Sequence, residues 1–193
     1  MLDTCACPGS KSFSSALLMK NQGHITSCDL HESKLPLIRR GADKLGISVI
    51  NTLCRDSSVP LETKETKETK GTKKDEIGFD RVLCDVPCSG FGVMAKKPEI
   101  RYRDLSDAAS LPPLQYAILD ASCRAVAQGG ILVYSTCTIL PEENDMVVDK
   151  FIAEHPEFSP VPFAVGSIAA EKGRITLLPD SDGTDGFFIA KFI

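Results

Sequence analysis

The sequence predicts an α/β protein with a doubly wound, mostly parallel sheet. Apolar, β-branched runs alternate with segments of helix length along most of the chain, which is typical of parallel strands joined by helices. Small or acidic residues follow several of these runs, as in open sheets that bind ligands beyond the carboxyl ends of their strands. The chain has 193 residues, enough for one domain with its own core.

The first half begins with the end of a strand. Met1-Leu-Asp3 supplies only its last residues, so we expect a single domain over 1–193 that lacks its N-terminal part. A glycine, Gly46, ends the second predicted helix, since glycine readily takes the left-handed backbone found beyond helix ends. Helices are predicted over 13–21 and 32–45, and strands over 24–28 and 47–53.

The second half continues the alternation. Gly129-Gly130 is expected to close a long helix, and Pro141 to open another with Glu142 and Glu143 in its first turn, where negative charge suits the helix dipole. The last two strands are expected to form an antiparallel edge. Helices are predicted over 113–127 and 141–153, and strands over 79–84, 131–135, 174–178 and 186–193.

One segment departs from the pattern. Residues 62–74 form a short repeat of Glu, Thr and Lys with almost no apolar content, so they cannot bury themselves in a core. We interpret this segment as an exposed, mobile insertion between two strands. An arm that contacts nucleic acid is the alternative, which its mixed charge disfavours.

The composition limits the class of function. Eight cysteines lie mostly in apolar segments, and no signal peptide precedes them, so we expect a reducing cytoplasm rather than a disulfide framework. No apolar stretch approaches the roughly 20 residues that span a bilayer, so no membrane role is expected. Cys5 and Cys7 lack a C-x-x-C spacing or paired histidines, so no metal site is expected. The net charge of −4 argues mildly against attraction of the whole surface to nucleic acid.

A loop of small residues follows the first strand and predicts a cofactor site. Such a loop lets the backbone approach a ligand at the start of a helix. Its residues are Cys5, Ala6, Cys7, Pro8, Gly9, Ser10 and Lys11.

Acidic residues at the strand ends indicate which cofactor this is. Asp29 follows the loop by about 20 residues and is placed to accept hydrogen bonds from ribose hydroxyls. Asp56 could meet an adenine, and Asp85 faces the same cleft, as Asp3 does. The G-x-G-x-x-G and G-x-x-x-x-G-K-[ST] patterns of dinucleotide and triphosphate sites are absent. S-adenosyl-L-methionine therefore remains as the favoured cofactor.

Two cysteines, Cys88 and Cys137, follow predicted strands in turn-rich contexts. If those strands are neighbours, one pocket holds both thiols. A sulfur nucleophile is needed for an inert carbon such as carbon 5 of cytosine, because thiolate attack on carbon 6 makes carbon 5 electron-rich. A free thiol titrates at roughly 8.5, so a cation such as Lys11 would have to help. Asp85 is placed to hydrogen-bond the base on its pairing edge.

A basic segment lies close to Cys88 along the chain. Its position beside the candidate active site favours contact with nucleic-acid phosphates, although a solvated loop is the alternative. Pro98 and Tyr102 lie among its cations. The basic residues are Lys96, Lys97, Arg101 and Arg103.

These motifs together resemble the RNA cytosine-5 methyltransferases of the Sun/RsmB type. The segments that carry the resemblance are Cys5–Lys11, Asp85–Gly92, Lys97–Tyr102, Tyr134–Thr138 with Pro141–Asn144, and Gly183–Phe188. The resemblance implies a Rossmann-like S-adenosylmethionine-dependent fold and an RNA substrate, 16S ribosomal RNA in bacterial members. It also implies that Cys137 is the nucleophile and that Cys88 assists product release, a choice that the residues alone leave open.

We expect the protein to be a monomer. Other functions remain as alternatives to methylation of ribosomal RNA. Transfer RNA could be the substrate of the same chemistry. A non-catalytic RNA-binding assembly factor is disfavoured because both Cys88 and Cys137 are present. A thiol redox protein is weaker still, since no C-x-x-C motif occurs.

Overall fold

The computed structural model describes residues 1–61 and 78–193, so the predicted insertion at 62–74 lies outside the described residues. The strands are β1 (Leu2–Asp3), β2 (Ile25–Asp29), β3 (Ile50–Cys54), β4 (Phe79–Asp85), β5 (Val126–Thr136), β6 (Phe163–Val165), β7 (Ile168–Ala170), β8 (Arg174–Leu177) and β9 (Phe187–Phe192). The α-helices are α1 (Ser10–Leu18), α2 (Leu35–Lys44), α3 (Leu105–Ala108), α4 (Leu111–Cys123), α5 (Asp145–Glu154) and α6 (Pro179–Asp182).

Seven strands form one sheet in the order β3-β2-β1-β4-β5-β9-β8. The neighbours from β3 to β5 pair in parallel, whereas β9 pairs antiparallel with both β5 and β8. The predicted doubly wound sheet with an antiparallel C-terminal edge is therefore confirmed. Its strand order reverses between β1 and β4, where open α/β sheets bind ligands.

The main core lies between this sheet and helices α4 and α5. Tyr134, Phe151 and Phe192 are fully buried there, and the ring centroids of Phe151 and Phe192 lie 5.1 Å apart. A second cluster under α1 and α2 contains Ala16 and Ile25. Burial of apolar side chains on both faces holds the strands in register, so the loops at their ends start from fixed positions.

The prediction that Gly129-Gly130 closes a helix is wrong. Helix α4 ends at Cys123, and the glycines lie inside β5, which starts at Val126. Gly129 has a φ of +71°, and the β4–β5 register shifts between Phe79 and Arg81. The glycines therefore lie at an irregularity in the strand and do not end a helix.

The predicted helix start at Pro141 is also wrong. Helix α5 begins at Asp145, and Pro141–Asn144 forms a turn before it. The Glu143 and Asn144 side chains are buried rather than placed at an exposed first turn, because they bond polar groups of the neighbouring loops.

The remaining predicted elements are present, with shifted ends. Helix α1 starts three residues before the predicted position, and residues 32–34 form a 3-10 turn ahead of α2. The β6–β7 hairpin was not predicted. In the described part of the chain, no helix combines the length and apolar character needed to cross a membrane.

Candidate active site

The candidate site lies along the carboxyl edge of the parallel strands. Loops that leave β1 and β4 meet there because these strands are neighbours in the sheet, and β5 is the next strand beyond β4. The predicted cofactor loop follows β1, Cys88 follows β4, and Cys137 follows β5. Parallel pairing therefore brings together residues that are far apart in the sequence.

The cofactor loop turns sharply into α1. Gly9 has a φ of +110°, and a Cβ atom there would lie 2.5 Å from the Phe13 ring. Ala6 is buried against Leu35 and Ile38, and its amide donates to the Cys28 carbonyl at 2.7 Å. The loop is thus held by backbone bonds and packing, and Gly9 allows a conformation that other residues rarely adopt.

The other predicted loop residues surround this turn. Cys5 packs partly against the main core, and burial raises the pKa of its thiol. The Cys7 sulfur lies 3.9 Å from the Lys34 carbonyl oxygen, and burial raises its pKa too. Pro8 and Ser10 are exposed at the entrance to α1.

A buried polar network supports the loop from beneath. The Ser12 hydroxyl donates to Asp3 Oδ2 at 2.6 Å and lies 2.7 Å from the Ser27 hydroxyl oxygen. Asp3 is fully buried, and this burial raises the pKa of its carboxyl group from 3.8 to about 6. Asp3 therefore acts as a structural support for β1, α1 and β2.

The two acidic residues predicted to contact a nucleoside lie at adjacent strand ends. Asp29 ends β2, is 8% exposed, and accepts the His31 amide through Oδ1 at 2.9 Å. Asp56 follows β3 and accepts both the amide and hydroxyl of Ser58 through Oδ1, which lowers the pKa of its carboxyl group. In both residues Oδ2 accepts no hydrogen bond from the described part of the chain, which leaves an acceptor for the ribose hydroxyls expected at Asp29 and for the adenine expected at Asp56.

The two candidate thiols meet. Cys88 Sγ lies 3.1 Å from Cys137 Sγ, and the Cys137 amide donates to Cys88 Sγ at 3.2 Å. Both residues are half-buried. The sequence expectation that one pocket holds two thiols therefore agrees with this geometry.

The thiols differ in acidity. The hydrogen bond between the two sulfur atoms lowers the pKa of Cys137, whereas burial and the Asp85 charge oppose this shift and the Lys11 charge adds to it. The same shared proton, together with burial, raises the pKa of Cys88. Lys11 was the expected activator, but the neighbouring thiol contributes more. These directions favour the thiolate form of Cys137 over that of Cys88.

Asp85 connects the cofactor loop to the thiols. Its Oδ2 lies 2.5 Å from Lys11 Nζ, and its Oδ1 accepts the Ser135 hydroxyl at 2.8 Å. Lys11 Nζ also lies 5.4 Å from the centroid of the Phe187 ring. Ser135 was not predicted as a site residue. Its position near the end of a buried strand, two residues before Cys137, could have indicated it.

The predicted RNA-binding residues lie on the exposed segment after Cys88. Lys97 and Arg101 are exposed, and Tyr102 is 86% exposed. Lys96 Nζ pairs with Asp185 at 2.5 Å, and Arg103 Nη1 donates to the Ser89 carbonyl at 2.9 Å. Lys96 and Arg103 thus hold the segment in place, and Lys97, Arg101 and Tyr102 face outward.

Main-chain hydrogen bonds join the segments around Gly92, Cys137 and Gly186. The Gly92 amide donates to the Cys137 carbonyl at 3.0 Å, and the Gly186 amide donates to the Gly92 carbonyl at 2.8 Å. A Cβ atom on Gly92 would lie 2.0 Å from the Gly186 oxygen. Glycine is therefore required at this crossing.

Within residues 1–61 and 78–193, no three His, Cys, Asp or Glu side chains are arranged to hold a metal ion.

The fold and the strand-end cleft define the class of protein: a Rossmann-like methyltransferase domain. A family model for the 16S rRNA methyltransferase RsmB/F matches residues 1–193. This chain belongs to that family.

Curated relatives agree with this assignment. The chain is 44% identical over 197 residues to a probable ribosomal RNA small subunit methyltransferase B of Bacillus subtilis, covering 98% of this chain and 42% of that protein. It is 34% identical over 191 residues to the ribosomal RNA small subunit methyltransferase B of Vibrio cholerae, covering 98% of this chain and 40% of the relative. The chain thus spans about two fifths of the length of these relatives.

Solved structures share the fold. The crystal structure of PH0851 matches with a TM-score of 0.86 and 30% identity, covering 99% of this chain and 41% of that one. NSun6 from Pyrococcus horikoshii with SFG matches with a TM-score of 0.78 and 26% identity, covering 99% of this chain and 46% of that one.

Proposed function

We propose that this protein transfers a methyl group from S-adenosylmethionine to carbon 5 of a cytosine in 16S ribosomal RNA. The observation that carries the proposal is the contact of two thiols at 3.1 Å, of which Cys137 has a lowered pKa. Membership of the RsmB/F family supports the RNA substrate. The proposal applies to a chain that spans 42% of its Bacillus subtilis relative.

S-adenosylmethionine fits the cleft beside β1 and β2. Its ribose hydroxyls would donate to Asp29, which keeps one carboxylate oxygen without a partner among the described residues, and the loop around Gly9 would contact the rest through its backbone. When bound, the cofactor supplies an electrophilic methyl group. The structural neighbour with SFG, an S-adenosylmethionine analogue, supports this assignment.

Cys137 is the proposed nucleophile. Its thiolate forms a bond to carbon 6 of the cytosine, which makes carbon 5 electron-rich and able to accept the methyl group. Asp85 accepts a hydrogen bond from the cytosine amino group, a contact typical of carboxylates with this base. After methylation a base removes the proton from carbon 5, and the electron pair of that C–H bond re-forms the double bond between carbon 5 and carbon 6. The Cys137 sulfur leaves carbon 6 as a thiolate, and Cys88 assists this release through its contact with the Cys137 sulfur.

The exposed segment after Cys88 is the proposed RNA contact. Lys97 and Arg101 would bind phosphates, and the exposed Tyr102 ring would stack on a base. Four basic and two acidic residues occur within 94–105, so this segment is positive although the whole chain is negative.

Substitution of each thiol tests the proposal. Cys137→Ala should abolish methylation and the covalent protein–RNA adduct, whereas Cys88→Ala should let the adduct accumulate, because attack proceeds and release fails. Adducts are measured on denaturing gels after incubation with 16S ribosomal RNA and S-adenosylmethionine. Cys123→Ala, on α4 in the core, is the thiol control. Exchanged phenotypes would exchange the two roles, and a wild-type protein without adduct or 5-methylcytosine would refute the chemistry.

The cofactor assignment has a separate test. Asp29→Asn should weaken S-adenosylmethionine binding by about tenfold or more, since a charge-assisted hydrogen bond is lost. Calorimetry measures the affinity, and thermal unfolding checks the fold. Unchanged affinity would remove Asp29 from the cofactor site.

A further inference from the structure

The mechanism leaves the buried carboxyl side chain of Glu143 unused. Glu143 is fully buried and lies in the turn that follows the Cys137 loop. Its Oε2 accepts the Ser89 amide at 2.9 Å and the Gln115 side-chain amide at 2.7 Å. Gln115 Nε2 also donates to the Pro87 carbonyl at 2.9 Å. Glu143 and Gln115 therefore hold the backbone on both sides of Cys88.

Glu143 is itself fixed to the strand that leads to Cys137. Its main-chain carbonyl accepts the Tyr134 hydroxyl at 2.6 Å. The next residue, Asn144, accepts the Thr136 hydroxyl at 2.6 Å and donates to the Thr138 carbonyl at 3.0 Å. One short turn thus connects the Cys137 segment with the Cys88 loop.

This arrangement is costly for stability. Burial of a carboxylate is unfavourable unless it is well paired, and no cation within 1–61 or 78–193 forms an ion pair with Glu143. Its second oxygen, Oε1, has no hydrogen-bond partner among the described residues. Buried groups of this kind commonly serve function rather than stability.

We propose that Glu143, together with Gln115, is a positioning residue that holds the Cys88 thiol against Cys137. This inference rests on the proposed function and adds to it. Without the two residues, Cys88 leaves its place 3.1 Å from the Cys137 sulfur. Cys137 then loses the hydrogen bond that favours its thiolate, and the adduct loses the group that assists release.

The test compares variants at one position. Glu143→Ala removes both hydrogen bonds and should resemble Cys88→Ala, with accumulation of the protein–RNA adduct in the presence of S-adenosylmethionine. Glu143→Gln should turn over as the wild type does, because its oxygen can replace Oε2 and its amide can occupy the place of the unpartnered Oε1. Glu142→Ala, at the exposed neighbouring position, should leave turnover unchanged.

A second variant covers the case in which Glu143→Ala does not fold. Gln115→Leu keeps the side-chain size but releases both Pro87 and Glu143, so it should also accumulate adduct. If Cys88→Ala accumulates adduct while the folded Glu143→Ala and Gln115→Leu proteins do not, the inference is overturned.

An assay without RNA separates this inference from the proposed function. The tryptic peptide 125–150 contains Cys137 as its single cysteine, so mass spectrometry can follow alkylation of this thiol against pH. Glu143→Ala should shift the alkylation profile upward by about one pH unit or more, the effect of losing a hydrogen bond to a charged group. Glu143→Gln should not shift it. An unshifted profile for Glu143→Ala contradicts the inference even if the RNA chemistry stands, and a shifted profile supports it even if no RNA is methylated.

Discussion

The buried Asp3 carboxyl group should make the stability of the fold fall as pH rises. Its pKa is raised from 3.8 to about 6 by burial, so the folded state keeps a proton that the unfolded state releases. The stabilisation that comes from the protonated Asp3 carboxyl group is therefore fully present below pH 4 and is lost as pH rises through 6. The difference in pKa corresponds to about 3 kcal/mol. Asp3→Asn cannot ionise and keeps an oxygen for the Ser12 hydroxyl.

Urea unfolding at a series of pH values between 4 and 7 measures this effect. The free energy of unfolding of the wild type should decline by up to about 3 kcal/mol relative to Asp3→Asn across that interval. Asp104→Asn is the control with opposite sign, because hydrogen bonds from Ser106 lower the pKa of the exposed Asp104. The free energy of unfolding that Asp104→Asn loses relative to the wild type should be larger at neutral than at acidic pH. A constant difference between the wild type and Asp3→Asn would refute the reasoning.

Three further predictions follow from the site. Lys11→Met should raise the pKa of Cys137, because a nearby positive charge is lost, and the pH at which iodoacetamide alkylates this thiol should rise; an unchanged profile would contradict it. Gly92→Ala should destabilise the fold by about 1–3 kcal/mol in thermal or urea unfolding, since its Cβ would lie 2.0 Å from the Gly186 oxygen; full stability would show that the crossing can relax. Tyr102→Ala should weaken RNA binding about 5- to 100-fold if the ring stacks on a base, whereas Tyr102→Phe should not, as filter binding at fixed salt can decide.

The class of sheet could be predicted because its strands and helices are marked by patterns that are local in sequence. Apolar runs such as 79–84 and 131–135 mark strands, and alternation with helices implies parallel pairing. The predicted helix ends were wrong where tertiary contacts override local preference. Gly129-Gly130 looks like a helix end, but it lies in a bulged strand, and Pro141 looks like a helix start, but Glu143 and Asn144 turn inward.

The site was only partly predictable for a related reason. Strand-end positions identified Cys88, Cys137 and Asp85, because parallel strands bring their carboxyl ends together. The hydrogen bonds of Glu143 and Ser135 depend on the contact of loops that are distant in the chain. No periodic pattern records such contacts. The relative acidity of the two thiols also depends on a distance, which a sequence does not contain.

The Gly92–Gly186 crossing has a consequence for how such a domain diversifies. Hydrogen bonds between main-chain groups join these residues to Cys137, and such bonds do not depend on side-chain identity beyond the need for glycine. The neighbouring segment with Lys97, Arg101 and Tyr102 is exposed. Its side chains can change without altering the spacing of the sulfur atoms. Under the proposed function, this surface can therefore acquire new targets while the arrangement of the two thiols stays the same.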